Sequence, residues 1–241
     1  MSVSAELNQD PIGAHYAQRL FLVFLGLAAL SLLVLLAERM AGRRIALGGH
    51  SDSTARYEIV IDNDVLSVSE NMIRLPEQRR GGIADRLDLY LSWPELDGYS
   101  HSQRNVFNGL DKNKALIFLS FEERTMSRDM TGRFEPIYKF LIEGKGEKAP
   151  TGLTRFLLPA KAGYLNEALY VDTGNTENRV IARCSEDKKE SLIAACERDV
   201  QVGANLSATI RFPARLLSEW RQLDAALTEF MGRTIATTVN E

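Results

Sequence analysis

A chain of 241 residues, 45% hydrophobic and 25% charged, has room for one ordinary domain or two small ones and enough apolar material for a packed core. Its 29 basic and 32 acidic residues leave a formal charge of −3, with the two signs evenly mixed. That balance excludes the clustered Lys and Arg through which proteins neutralise nucleic-acid phosphates. No internal repeat or low-complexity tract is visible.

In chain order, residues 1–19 form an N-terminal tail whose one basic side chain is Arg19. Residues 20–37 then read LFLVFLGLAALSLLVLLA, without a charge and with Ser31 as the one polar side chain. As a helix at 1.5 Å per residue this run is about 27 Å long, close to the thickness of a bilayer's hydrocarbon core. A helix packed inside a soluble domain would show a polar face, and this one has none. A cleaved signal peptide would have a shorter apolar region followed by a small-x-small site, whereas this run ends in Glu38, Arg39 and Met40. The segment reads as an uncleaved, single-pass transmembrane helix, and the chain as an integral protein of the inner membrane.

Orientation draws on two conflicting signals. Arg39, Arg43, Arg44 and Arg56 follow the apolar run, and by the positive-inside rule they place the following domain in the cytoplasm. Long C-terminal domains, however, translocate largely regardless of flanking charge. The only two cysteines, Cys184 and Cys196, bracket the polar stretch SEDKKESLIAA, with strand-like sequence on either side. A disulfide there would close a short excursion, and it would persist in the oxidising periplasm. The alternative is two buried, reduced thiols. Neither a zinc shell nor a CxxC redox centre fits two cysteines at this spacing. The cysteine pair favours a periplasmic domain.

Residues 38–55 read as a flexible juxtamembrane tether rich in Arg, Gly and Ser, and residues 56–235 as one soluble domain. Tyr57, Ile59 and Ile61 alternate with polar neighbours, Asp62-Asn63-Asp64 turns the chain, and Val65, Leu66 and Val68 return it as a hairpin. Leu87, Leu89, Leu91 and Trp93 alternate with Arg86, Asp88, Tyr90 and Ser92 in a half-buried strand stopped by Pro94. Further strands are expected over residues 115–121, 153–158, 168–171, 179–184, 198–202 and 206–212. After Pro213 the period changes. Leu216, Leu217, Trp220, Leu223, Leu227, Phe230 and Met231 recur at helical steps, and Gly232 follows as a stop. The expected fold is α+β, a mainly antiparallel β domain closed by a C-terminal amphipathic helix and preceded by one transmembrane helix; residues 236–241 form a C-terminal tail.

Candidate chemistry is sparse. His15 precedes the apolar run and His50 falls in the tether, which leaves His101 as the histidine placed to act as a base, beside Ser100 and Ser102 and near Glu95 and Asp97. A hydrolase would need those groups to converge around an oxyanion hole, and adjacency in sequence does not supply that. Asp88, on the polar side of its strand, reads as solvated or paired with an Arg. Gly144-Lys145-Gly146 lacks the spacing and the Ser or Thr of a phosphate loop. No pattern asks for a metal or a cofactor. In the loop over residues 124–136, Arg124, Arg128 and Arg133 alternate with Met126, Met130 and Phe134, which suits either an interface or an internal ion-pair network. Trp93 and Tyr99 flank a loop and read as a contact surface or the lip of the core.

Three stretches, RLDLYLSWPELDGYS, DMTGRFEPIY and FPARLLSEWRQLDAAL, give the chain a resemblance to uncharacterised single-pass envelope proteins of alphaproteobacterial type. The resemblance implies a location and no activity. The resulting expectation is a membrane-anchored, non-enzymatic envelope protein that binds another protein, associates with itself or scaffolds an assembly. The alternative is an envelope hydrolase or ligand sensor built on His101 and nearby carboxylates.

Overall fold

The computed structural model describes residues 11–47, 49–109, 114–142, 144–174, 179–187 and 194–236; the first ten residues of the expected tail, the middle of the cysteine-bracketed loop and residues 237–241 lie outside them. The chain divides into two units, Met1–Gly49 and His50–Glu241.

The first unit holds helix α1, Pro11–Leu47. Its stretch Tyr16–Leu35 has a mean hydropathy of 2.2 with no residue buried against protein, so α1 is long and apolar enough to cross a membrane. The helix continues past residue 37 through ERMAGRRIAL, into what the sequence suggests is tether. Glu, Arg, Met, Ala and Leu are good helix formers, and Gly42 alone costs about 1 kcal/mol, too little to break a helix already propagating.

The second unit contains, among the described residues, two sheets. The smaller joins β1 (Arg56–Ile61), β2 (Asp64–Ser69) and β3 (Gly82–Ile83) in the order β2-β1-β3, with β1 and β2 forming the expected hairpin. The larger begins with β4 (Arg86–Trp93) and β5 (Ala115–Glu123). It continues with β6 (Glu147–Lys148), β7 (Leu153–Leu157) and β8 (Glu167–Asp172). The last three strands are β9 (Ile181–Ser185), β10 (Cys196–Val202) and β11 (Leu206–Phe212). Their order is β4-β5-β11-β10-β9-β8-β7-β6, and every pairing in this sheet is antiparallel. Short helical turns α2 (Arg104–Phe107) and α3 (Lys139–Leu141) lie in the connections, and α4 (Trp220–Thr234) follows β11.

Side chains alternate across each strand, so the large sheet has two chemically distinct faces. On the front, Leu87, Leu89 and Leu91 of β4, Ile117, Leu119 and Phe121 of β5, and Leu206, Ala208 and Ile210 of β11 form one core. Ile59, Ile61, Leu66 and Val68 of the small sheet and Leu223, Leu227 and Met231 of α4 complete it. A second, smaller core on the back covers β7 to β9 with Met130, Phe134 and Tyr138 from the loop after β5.

The terminal helix differs from expectation at both ends. Residues Ala214–Glu219 form a tighter 3₁₀ turn, in which the Leu216 N–H donates to the Pro213 carbonyl at 3.0 Å, and Thr151 Oγ1 donates to the Ser218 carbonyl at 2.7 Å. Gly232 does not stop the helix, which runs on to Thr234. Beyond it, Ile235 pairs with Leu66, and the Ala236 N–H donates to the Val65 carbonyl at 2.7 Å.

Arg198, on the core side of β10, forms an ion pair with Asp224 of α4. The two side chains are 14% and 32% exposed, so desolvation is substantial and solvent screens only part of the pair. Asp224→Ala is expected to lower stability by about 1–2 kcal/mol, discounted for that exposure, because it leaves a half-buried guanidinium unpaired. Replacing both residues by Leu should recover most of the loss in chemical denaturation.

Candidate functional site

The catalytic candidates do not assemble. His101 lies exposed in a 3₁₀ turn, His101–Gln103, and among the described residues it makes no hydrogen bond or ion pair with a carboxylate. Ser100 Oγ and Ser102 Oγ face each other at 3.0 Å, and Glu95 pairs with Lys114 at 3.1 Å. Among the described residues, no cluster of His, Cys, Asp and Glu is arranged to hold a metal ion.

Two of the proposed contact residues lie inside the fold. Trp93 is 4% exposed and Tyr99 1%, so both belong to the interior. The Trp93 indole donates to Glu219 at 3.1 Å, which satisfies its one polar group at the helix beneath α4. Arg124 donates to Gln201 at 3.4 Å, Arg128 to the Gly132 carbonyl at 3.5 Å, and Arg133 pairs with Asp199. Arg124 and Arg133 thus tie the arginine loop to β10, while Arg128 is exposed and bonds within the loop.

His50 corrects the sequence reading most sharply. It lies in the second unit, with its ring stacked on Tyr99 at 4.6 Å and on Tyr90 at 5.4 Å and its edge near Phe107. Burial pushes the Tyr90 hydroxyl up to about 12, so it keeps its proton and can donate to His50 Nδ1 at 3.0 Å. Nε2 then faces Asn108 Oδ1 at 3.2 Å. No local pattern marks this histidine, because its partners lie forty or more residues away.

Cys184 and Cys196 stand directly opposite each other on β9 and β10 and form a disulfide, with both residues buried in the front core. This bond closes the excursion between the two strands.

The back of strands β4, β5, β11 and β10 carries a different surface. In register across it stand Tyr90, Phe118, Arg211 and Glu197, then Asp88, Ser120, Thr209 and Asp199, then Arg86, Glu122, Ser207 and Gln201. Two walls rise beside this polar floor. One is the segment between β2 and β4, where Arg74 lies 5.0 Å over the Phe118 ring and Gln78 binds the Asp88 carboxylate and N–H. The other is the arginine loop, held by the Gln201 amide donating to the Met126 carbonyl at 3.0 Å. Beside the first wall is a cleft of about 260 Å³ lined by Arg74, Arg86, Asp88, Phe118, Ser120 and Arg211, with Ala194 from the end of the disulfide-closed loop.

Inside the cleft Asp88 is saturated: Arg86 Nη2 lies at 2.9 Å, and Ser120 Oγ donates at 2.6 Å. Burial alone pushes this carboxyl up, but hydrogen bonds from Arg86, Ser120 and Gln78 outweigh it and hold Asp88 below its ordinary value. A depressed folded-state pKa contributes stability above the unfolded value, near 3.9, and that contribution is lost as pH falls through the lower folded value. Asp88→Asn should therefore flatten the acid limb of the stability curve below about pH 4, as read by denaturation at stepped pH. Asp199 moves the opposite way. Its burial dominates the attraction of Arg133 and raises it, so it adds nothing to that acid limb.

No protein-family model matches the chain, and no curated protein matches it. Among solved structures it is similar to an immunity protein of the Stenotrophomonas maltophilia type IV secretion system, at 12% identity and a TM-score of 0.51, over 78% of this chain and 96% of that one. A more distant similarity is to the iron-regulated outer membrane lipoprotein FrpD of Neisseria meningitidis, at 11% identity and a TM-score of 0.42, over 76% of this chain and 95% of that one. At these identities the first likeness shows a shared fold, an antiparallel sheet with its covering helix, and nothing about what this chain binds.

Proposed function

We propose that this chain is an inner-membrane protein, anchored by α1 with its soluble unit in the periplasm, that binds another protein through the walled back face of its large sheet and catalyses no reaction. The observation that carries the reading is the cleft around Phe118, lined by that ring and three arginines beside the fixed segment between β2 and β4. Aromatic and Arg side chains dominate the energetics of protein interfaces, and a preorganised floor lowers the cost of ordering on binding. The disulfide supports an oxidising compartment. The fold shared with an immunity protein supports a finer reading, in which the bound protein is harmful and this domain neutralises it at the envelope.

Two measurements test this. A single Cys at Leu165, which is 75% exposed, should react with a membrane-impermeant maleimide in cells whose outer membrane alone is permeabilised; protection until the inner membrane is opened would reverse the orientation. A photoreactive residue at Met126, exposed on the arginine loop that Gln201 ties to the back of β10, should give one discrete adduct in living cells, while the same residue at Leu165 gives none. No adduct from Met126, or equal adducts from both positions, would overturn the reading.

A further inference from the structure

We infer that the cleft around Phe118 receives a carboxylate side chain from an acidic loop of the partner protein. This rests on the protein-binding reading and specifies its chemistry. Three guanidinium groups line the cleft against one carboxylate, and that carboxylate is already occupied. Glu122 and Glu197 beside it pair with Arg86 and Arg211, which leaves the Arg74 guanidinium as the cleft's cation without a carboxylate partner among the described residues.

The three arginines are not equivalent. Arg86 is committed to Asp88, Ser120 and Glu122. Arg211 donates through Nε to Glu197 at 2.7 Å, and its terminal nitrogens make no hydrogen bond among the described residues. Arg74 is exposed, its guanidinium lies over the Phe118 ring, and it donates no side-chain hydrogen bond to protein among the described residues. Contact with a ring face engages the cation's charge and leaves its N–H fork for a planar acceptor. Arg211 and Phe118 are direct cross-strand partners, so the two available donors flank the same aromatic residue. The ring offers an apolar seat for the short methylene stem of Asp or Glu, and it excludes water from one side of the ion pair. A carboxylate matches both forks bidentately.

The test uses the full chain in detergent micelles and reads the arginine Nε–H resonances by NMR. The probes are a capped pentapeptide Gly-Asp-Glu-Asp-Gly, its amide counterpart Gly-Asn-Gln-Asn-Gly, and inorganic phosphate. The acidic peptide should shift the Arg74 and Arg211 signals saturably, and the amide peptide should not. The variant carrying Arg74→Gln and Arg211→Gln, both at exposed positions, should bind the acidic peptide at least about tenfold more weakly while its tryptophan fluorescence is unchanged. Equal binding of both peptides, non-saturating shifts spread over all arginines, or phosphate matching the peptide at equal concentration would each overturn the inference. If the Met126 adduct forms in cells and persists in the double variant, partner binding stands and the acidic-loop inference falls. If the parent chain gives no adduct, the partner reading itself has failed.

Discussion

Asp64→Ala should lower the stability of the soluble unit by roughly 3 kcal/mol, since hydrogen bonds to charged groups contribute about 1.5–3 kcal/mol each. Asp64 is fully buried, and its carboxylate accepts the N–H groups of Ala204 and Asn205, the latter at 2.9 Å. These are the turn residues between β10 and β11, so one side chain ties the β1–β2 hairpin to a turn between two central strands of the large sheet. The neighbouring Asp62 accepts the Asn205 amide at 2.8 Å and reinforces the link. Gly203 is required on two counts: its φ is +61°, and an added Cβ would come within 2.7 Å of Asp64 Oδ1. Asp64→Asn keeps the shape but turns one acceptor into a donor facing N–H groups, so it should lose most of the same stability, and Gly203→Ala should lose a comparable amount. The check is thermal unfolding of the full chain in detergent by the fluorescence of Trp93 and Trp220. A drop of about 6–12 °C is expected for Asp64→Ala, from roughly 2–4 °C per kcal/mol in a domain of this size. A shift of less than about 2 °C would mean that the turn holds without its carboxylate.

Removing the disulfide should cost a similar amount. Cys184 and Cys196 are 12 residues apart, and closing a loop of that order restricts the unfolded chain by about 3 kcal/mol. The double variant Cys184→Ala, Cys196→Ala should unfold at correspondingly lower denaturant concentration. Kinetics provide a second signature. The two residues are 2% and 0% exposed, so a thiolate reductant cannot reach either sulfur while the sheet is intact. Dithiothreitol should leave the native protein unmodified by a maleimide-polyethylene glycol probe, and should open the bond promptly once guanidinium unfolds the chain. Rapid labelling of the native protein would place the bond at a mobile surface.

Much of the architecture was legible because it follows from local periodicity. The alternation over residues 87–93 identifies β4 and its core face, and the helical recurrence from Leu216 to Met231 identifies α4 and its buried stripe. The cysteine pair was legible from the strand-like flanks, which the structure sets opposite each other as β9 and β10. Two-residue strands such as β3 and β6 have no period to read. The cleft was hidden for related reasons. β5 reads ALIFLSF, apolar on both sides, so nothing local shows that Phe118 faces away from the core while Ile117 and Leu119 face into it. Arg74 lies in a segment without pattern, and its significance comes from a ring 44 positions on. Trp93 and Tyr99 were ambiguous because loop-flanking aromatics serve surfaces and cores alike. Only the distant Glu219 and His50 decide that both turn inward.

The outer edges of the large sheet constrain how this protein meets others. At one end β6 is two residues long and carries Glu147 and Lys148, charged side chains on a strand too short to template another. At the other end the free side of β4 is already occupied. The Asp88 N–H donates to Gln78 and its carbonyl accepts from Arg74, while the Ser92 N–H donates to Asp97 and its carbonyl accepts from Leu96. One edge is thus too short and the other partly occupied for strand addition, the route by which exposed sheets capture extended peptides or stack into fibrils. Copies can therefore meet along the outer edges of the large sheet without extending it, and recognition there falls to side chains.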